Sequence, residues 1–258
     1  MQTMWALVIA EAIKVRRSAP LRLAIAAPLL LFLLETLTMF SRGQFNVTDP
    51  AVLWRQLLSF GWIMWLGLFT PALVALQAIC LVNVEHSGKH WKQLFALPIP
   101  RWKVFAVKML FCGFLMAVSF AVFTTASTGG VLLFSGVRGL HLAGSIPWLE
   151  IGLTAVRGFA ACWLLIVVHT WISVRYPGVV VPAGVAFTAL LVGFMLINWN
   201  PGIFGWWYPW TLPINVRPEG LYDGHNTLAP ALFGAIAGAV LAPMASWHLG
   251  RCMTARIP

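Results

Sequence analysis

Charge is what this chain has least of. Seventeen Lys and Arg and seven Asp and Glu make 24 charged residues in 258, and the acidic share is very small. A water-soluble domain covers itself with about a quarter charged residues, so the composition excludes one. Cysteine is scarcer still: Cys80, Cys112, Cys162 and Cys252 are scattered, three of them inside apolar runs. With no CxxC pair, neither a zinc site nor a disulfide framework is expected, and these residues read as small packing side chains. The motifs of several enzyme classes are missing too. There is no HExxH and no GxSxG. The Gly88-Lys89 step has Asn83 where a GxxxxGK[ST] frame needs its first glycine, and His90 where it needs a hydroxyl. A P-loop ATPase is thereby excluded for this chain.

What is abundant is apolar surface. Hydrophobic residues make up 60% of the chain and aromatics 13%, and the mean hydropathy is +0.85. Several apolar runs reach about 20 residues, the length a bilayer core demands of a helix. The expected fold is an all-α integral membrane protein in one domain over 1–258, with six transmembrane helices near 21–40, 57–84, 104–127, 151–174, 178–197 and 228–249. Pro28, Pro71, Pro182 and Pro243 fall inside these spans and predict kinks.

The basic residues set the orientation. Lys14, Arg16, Arg17, Arg22, Lys89, Lys92, Arg101, Lys103, Lys108, Arg175, Arg251 and Arg256 cluster on segments that six spans place on one side. By the positive-inside rule that side is the cytoplasm and holds both termini. The net charge of +10 therefore signals topology and anionic lipid, not nucleic acid. The opening MQTMWALVIAEAIKVRRSAP is not expected to be a signal peptide, because its basic residues follow the apolar stretch and no small-residue cleavage site appears. The expected location is a bacterial cytoplasmic membrane, crossed several times.

Three connecting stretches carry pattern. Residues 3–18 predict an interfacial amphipathic helix, with Trp5, Val8, Ala12 and Val15 recurring at helical spacing and Glu11, Lys14, Arg16 and Arg17 on the polar side. From 84 to 97, Val84, Trp91, Leu94 and Phe95 share one helix face, with Glu85, Lys89, Lys92 and Gln93 largely opposite. Leu97 precedes Pro98, and Pro100 follows, so that helix ends there. Such a face suits either docking to a soluble protein or lying on the inner leaflet. Before the last span, NWNPGIFGWWYPWTLPINVRPEG is too aromatic for a solvated loop and predicts short helices or a re-entrant element at the outer interface. Segment 138–150 is a smaller outer element.

The passage VNVEHSGKHWKQLFALPIPRWKVFAVK resembles the signature loop of type-2 ABC transporter permeases. That family places a glutamate after the second span, a basic amphipathic helix, an L-P-[IV]-x-R step and a lysine opening the third span. Those features fall on Glu85, Leu97, Pro98, Arg101 and Lys108. His86 and His90 depart from the pattern. The E-x-x-K-x-x-R-S of Glu11, Lys14, Arg17 and Ser18 is similar to the family's interfacial entry helix. WWYPWTLP, Trp206 to Pro213, resembles the aromatic-proline segment of the branch that exports, or confers immunity to, lantibiotics and bacitracin-like peptides. The resemblance implies a coupling helix built from Glu85, Lys89, Trp91, Lys92, Leu94, Phe95, Leu97, Pro98 and Arg101. It also implies a separate ATP-binding subunit holding ATP and Mg, and a second permease, identical or related. No cofactor is expected in this chain itself.

Individual residues carry competing readings. Glu35 lies inside a span, where a carboxylate is costly and suggests function; it also lies within reach of Arg42 or Arg55 as an ion pair. Arg157 is similarly placed, with Glu150 two turns away. His169 reads as a hydrogen-bonded core histidine. His86 and His90 are spaced like a metal pair but lack a third ligand. Trp199, Trp206, Trp207 and Trp210 read as interface anchors or as the wall of a substrate path shared with Glu35 and Arg157. Two rivals to a transporter remain at this stage: an intramembrane enzyme acting on lipid or peptide, if Glu35, Arg157 and His169 converge, and a non-transporting membrane adaptor.

Overall fold

The computed structural model describes residues 2–16, 18–41, 50–87, 99–139, 142, 146–199, 207–217 and 227–252. Every regular element among them is helical. In chain order these are α1 (Gln2–Val15), α2 (Ala19–Ser41), α3 (Pro50–Met64), a π-helical turn (Trp65–Phe69), α4 (Thr70–Ser87), α5 (Arg101–Arg138), α6 (Trp148–Arg175), α7 (Val180–Trp199), a 3-10 turn (Pro213–Val216) and α8 (Leu228–Cys252). Six are long and apolar enough to cross a bilayer: α2, the joined α3–α4, α5, α6, α7 and α8. The expected six-span layout holds.

Successive spans run in alternate directions, so the bundle has two ends. The near end gathers α1 with the ends of the spans at residues 19, 87, 101, 175, 180 and 252; the far end gathers the opposite termini. A small apolar cluster of Val82, Phe105, Val174 and Leu249 seals the near end by joining four spans. The main core lies deeper. There Trp65 stacks on Phe123 with ring centroids 4.8 Å apart, and Trp62 meets the same ring edge-on at 5.1 Å. Backbone groups inside a bilayer have no water to bond, so unbroken helices satisfy them internally.

Two features of the spans differ from expectation. The third runs to Arg138, eleven residues past the predicted end at 127. The run Thr124-Thr125-Ala126-Ser127-Thr128-Gly129-Gly130 looks like a terminus, yet Thr124 and Thr125 donate back to the carbonyls of Phe120 and Ala121, and apolar residues resume at Val131. Termination waits for Gly139, at φ 63°, a left-handed cap that suits glycine. At 38 residues, about 57 Å at 1.5 Å per residue, α5 is longer than the roughly 30 Å hydrocarbon core. Pro182 sits in the first turn of α7, where a missing N–H breaks no helical bond, so no kink arises from it. Pro28 and Pro243 do lie inside α2 and α8, freeing the carbonyls of Ala24 and Ala239. Ahead of Pro71 the ladder widens: the N–H of Thr70 bonds the carbonyl of Trp65, five residues back.

α8 packs most extensively along α6. Gly234 and Gly238 make that possible, since a Cβ at Gly234 would run into the backbone of Ala161 and one at Gly238 into Trp163. This four-residue spacing of glycines is how membrane helices bring their backbones together.

Candidate functional site

α1 lies across the near end with Trp5, Ile9 and Ile13 exposed at intervals of four, a stripe fit for the membrane interface. Glu11 was expected on the polar side with the bases. It is instead turned into the bundle and buried. The reason is Lys108, two turns into α5 and itself buried. The Lys108 ammonium lies 3.0 Å from Glu11 Oε1 and donates to the Leu81 carbonyl at 3.1 Å. Lys14 approaches the second carboxylate oxygen at 3.3 Å. Ser18 Oγ donates to the Val15 carbonyl at 2.8 Å, closing the turn into α2.

This knot therefore ties three elements at one point. Leu81 stands one turn before Glu85, and Lys108 two turns after Arg101, so the ion pair clamps both roots of the connection between the second and third spans. Of the residues assigned to the coupling helix, Lys89, Trp91, Lys92, Leu94, Phe95, Leu97 and Pro98 lie outside the described residues, as does the side chain of Glu85. Arg101 opens α5 behind Pro100. Nothing in the spacing of Glu11 and Lys108, 97 residues apart, could have joined them; each was singled out, but not as a pair.

Among the described residues of the proposed substrate path, Glu35, Arg157 and Trp210 each face a different neighbour. Glu35 is buried on α2, its carboxylate filling the space that a Cβ on Gly61 of α3 would need. Ser127 of α5 lies beside it, but neither carboxylate oxygen nor that hydroxyl makes a hydrogen bond of good geometry. Arg55, offered above as a partner for Glu35, is taken by Glu150 at 3.2 Å. Arg157 in turn bonds Thr227 Oγ1 at 2.9 Å rather than Glu150, which ties α6 to the start of α8. Arg42 lies outside the described residues.

The aromatic segment is re-entrant and deeper than an interface anchor. The Trp210 indole donates to Nε2 of the fully buried His169 at 3.1 Å, so His169 is a hydrogen-bonded core histidine, as expected. His169 stands 21 residues past Trp148, about 32 Å along α6, which puts that contact well below the far end. The Tyr208 hydroxyl donates to the Ala189 carbonyl, midway along α7, at 2.9 Å, and its partial burial raises the phenol above its usual pKa. Leu212, Pro213 and Val216 are buried, and Ile214 packs over Gly67 in the π turn. Trp207 stays exposed; Trp206 lies outside the described residues. Glu35 thus lies against Gly61, Arg157 bonds Thr227 and His169 bonds Trp210, and no group of three His, Cys, Asp or Glu suited to a metal occurs among the described residues. No hydrogen bond or ion pair joins any two of Glu35, Arg157 and His169.

A family model described as ABC-2 family transporter protein matches residues 7–193. No curated protein matches the chain at a significant level.

Proposed function

The chain belongs to the ABC-2 transporter family, and on that footing we propose that it is the membrane permease of an ATP-driven exporter whose ATP is bound and hydrolysed by a separate polypeptide. As a permease it is a transport component and not itself the catalyst. The near end faces the cytoplasm, because Lys14, Arg16, Arg101, Lys103, Lys108, Arg175 and Arg251 collect there. The substrate is a hydrophobic or amphipathic molecule, with antimicrobial peptides favoured by the aromatic-proline segment. Two permease chains, identical or related, pair with two ATP-binding subunits.

The observation that carries this reading is the buried Glu11–Lys108–Leu81 knot at the roots of the 85–100 connection. A lever transmits force only if its base is stiff. A force on Trp91 or Leu94 from an ATP-binding subunit would pass through those roots into α4 and α5, and through Glu11 into α1. Closure of the partner subunits on ATP and Mg would draw the paired connections together and shift the spans, opening a route toward the outer leaflet.

The test is co-purification with an ATP-binding subunit, then substrate-dependent ATP hydrolysis in proteoliposomes. Trp91→Glu and Leu94→Glu should insert normally, lose the ATPase on pull-down and abolish export. Normal capture of the ATPase by both variants, or full export in liposomes without nucleotide, would overturn the proposal. Cysteine labelling from either side of the membrane checks the orientation: residues 5 and 251 should label only from the cytoplasmic face.

A further inference from the structure

We propose that the near half of α8 is a binding site for one anionic diacyl phospholipid. Two grooves run down opposite sides of this helix. One, about 700 Å³, lies against α6 and is walled by Val167, Val168, Trp171, Leu241, Met244 and Ala245. The other, about 530 Å³, lies against α5 and α6 and is walled by Trp102, Ala106, Met109, Leu110, Trp163 and Ala242. Pro243 and Trp247 border both. A ridge with an apolar trough on each side is the complement of two hydrocarbon chains joined at one end. Each trough has a volume in the range of a small-molecule site.

The joined end of such a ligand is polar, and the near end of the ridge supplies what it needs. Arg251 lies one turn beyond Trp247, with its guanidinium carbon 3.9 Å from the Trp247 ring centroid. The arginine is exposed and makes no ion pair among the described residues. Stacking fixes the planar cation over the indole while leaving its N–H edge for oxygen acceptors. At the mouth of the first groove the Trp171 indole donates to His248 Nδ1 at 3.3 Å. Beside the second, the Lys103 ammonium lies 5.8 Å from the Trp102 ring centroid. No carboxylate lines either groove among the described residues. Apolar walls with indoles and cations at one end match an amphiphile whose headgroup is anionic and lies in the near leaflet. A plain convex helix face would give annular lipid neither troughs nor a fixed cation. The proposal is independent of the exporter reading, since lipid occupancy is measured without ATP or an ATPase.

The experiment uses the full chain delipidated in detergent, with native mass spectrometry reading retained adducts as lipid is titrated. Dioleoylphosphatidylglycerol should be retained at one per chain, about fivefold better than dioleoylphosphatidylcholine, as expected for one cation meeting one net charge. Single-chain lysophosphatidylglycerol should bind more weakly, and glycerol 3-phosphate should leave no adduct. Arg251→Ala should erase the headgroup preference, and Arg251→Lys should keep most of it, which separates charge from folding. Ala245→Phe and Ala242→Phe each fill one trough and should reduce diacyl retention while sparing the single-chain lipid. The proposal fails if the two diacyl lipids bind wild type equally, if Arg251→Ala keeps the preference, or if glycerol 3-phosphate competes as well as the lipid. It fails equally if the trough-filling changes leave retention intact or shift the mass from dimer to monomer, for then a second copy of the chain covers this face.

Discussion

Glu11 and Lys108 lend themselves to a quantitative test because their surroundings are unequal. The Lys108 side chain is 2% exposed and that of Glu11 9%, while Lys14, the second cation on Glu11, is 41% exposed. Glu11→Gln takes from the buried Lys108 ammonium the carboxylate 3.0 Å away and leaves a neutral amide oxygen in its place beside the Leu81 carbonyl. Removing one partner of a buried ion pair costs about 3–5 kcal/mol. Lys108→Met leaves the carboxylate with Lys14 beside it, so the loss should be smaller, about 2 kcal/mol, of the order of a charged hydrogen bond. The double variant removes both charges and should fall short of the sum by about 1–3 kcal/mol. Unfolding in mixed micelles, followed by helicity as SDS is added, gives all three values. If Glu11→Gln stays within about 0.5 kcal/mol of wild type, or if the two changes simply add, the pair is not the clamp described above.

Three further outcomes follow from close contacts in the core. Gly61→Ala should destabilise by about 1–3 kcal/mol, because the new methyl overlaps the Glu35 carboxylate; in a Glu35→Ala background the same change should stabilise, as Ala outranks Gly in a helix by about 1 kcal/mol. The reversal of sign is read from the same micelle titration. Gly238→Ala should cost about 1–3 kcal/mol by prising α8 from α6, whereas Gly184→Ala, whose Cβ meets nothing, should be neutral or slightly stabilising in a thermal melt. Trp210→Phe should lose about 1 kcal/mol with its bond to His169, and Trp207→Phe should stay within about 0.5 kcal/mol; thermal unfolding of the two variants side by side separates them.

The six spans were legible because a bilayer imposes one crude requirement, about twenty apolar residues in a row, and composition alone reports whether it is met. Pairings were not legible. A helical wheel put Glu11 with the bases of α1, since local periodicity carries no trace of a lysine 97 positions away. Glu150 and Arg157 sit two turns apart on α6, yet Glu150 pairs with Arg55 of α3 and Arg157 bonds Thr227 just ahead of α8, because neighbours across the bundle offered better geometry than neighbours along it. The far end of α5 was missed for a similar reason: hydroxyls that signal a terminus in water bond back to their own helix when no water is present. The aromatic segment was recognised as re-entrant or interfacial, but its depth depended on His169, a residue whose partner no spacing rule could name.

The π turn at Trp65–Phe69 carries one residue more than a regular helical turn. It is, in effect, a spare link in the second span. Deleting one residue there would let the ladder close to ordinary α-helix while the halves above and below keep their azimuth, whereas a deletion elsewhere in the span would rotate one half by about 100° against the other. What the regularised helix would give up is local: Leu66 fills the notch at Gly158, and Gly67 admits Ile214. The extra residue thus trades helical regularity for a seat beneath the re-entrant segment.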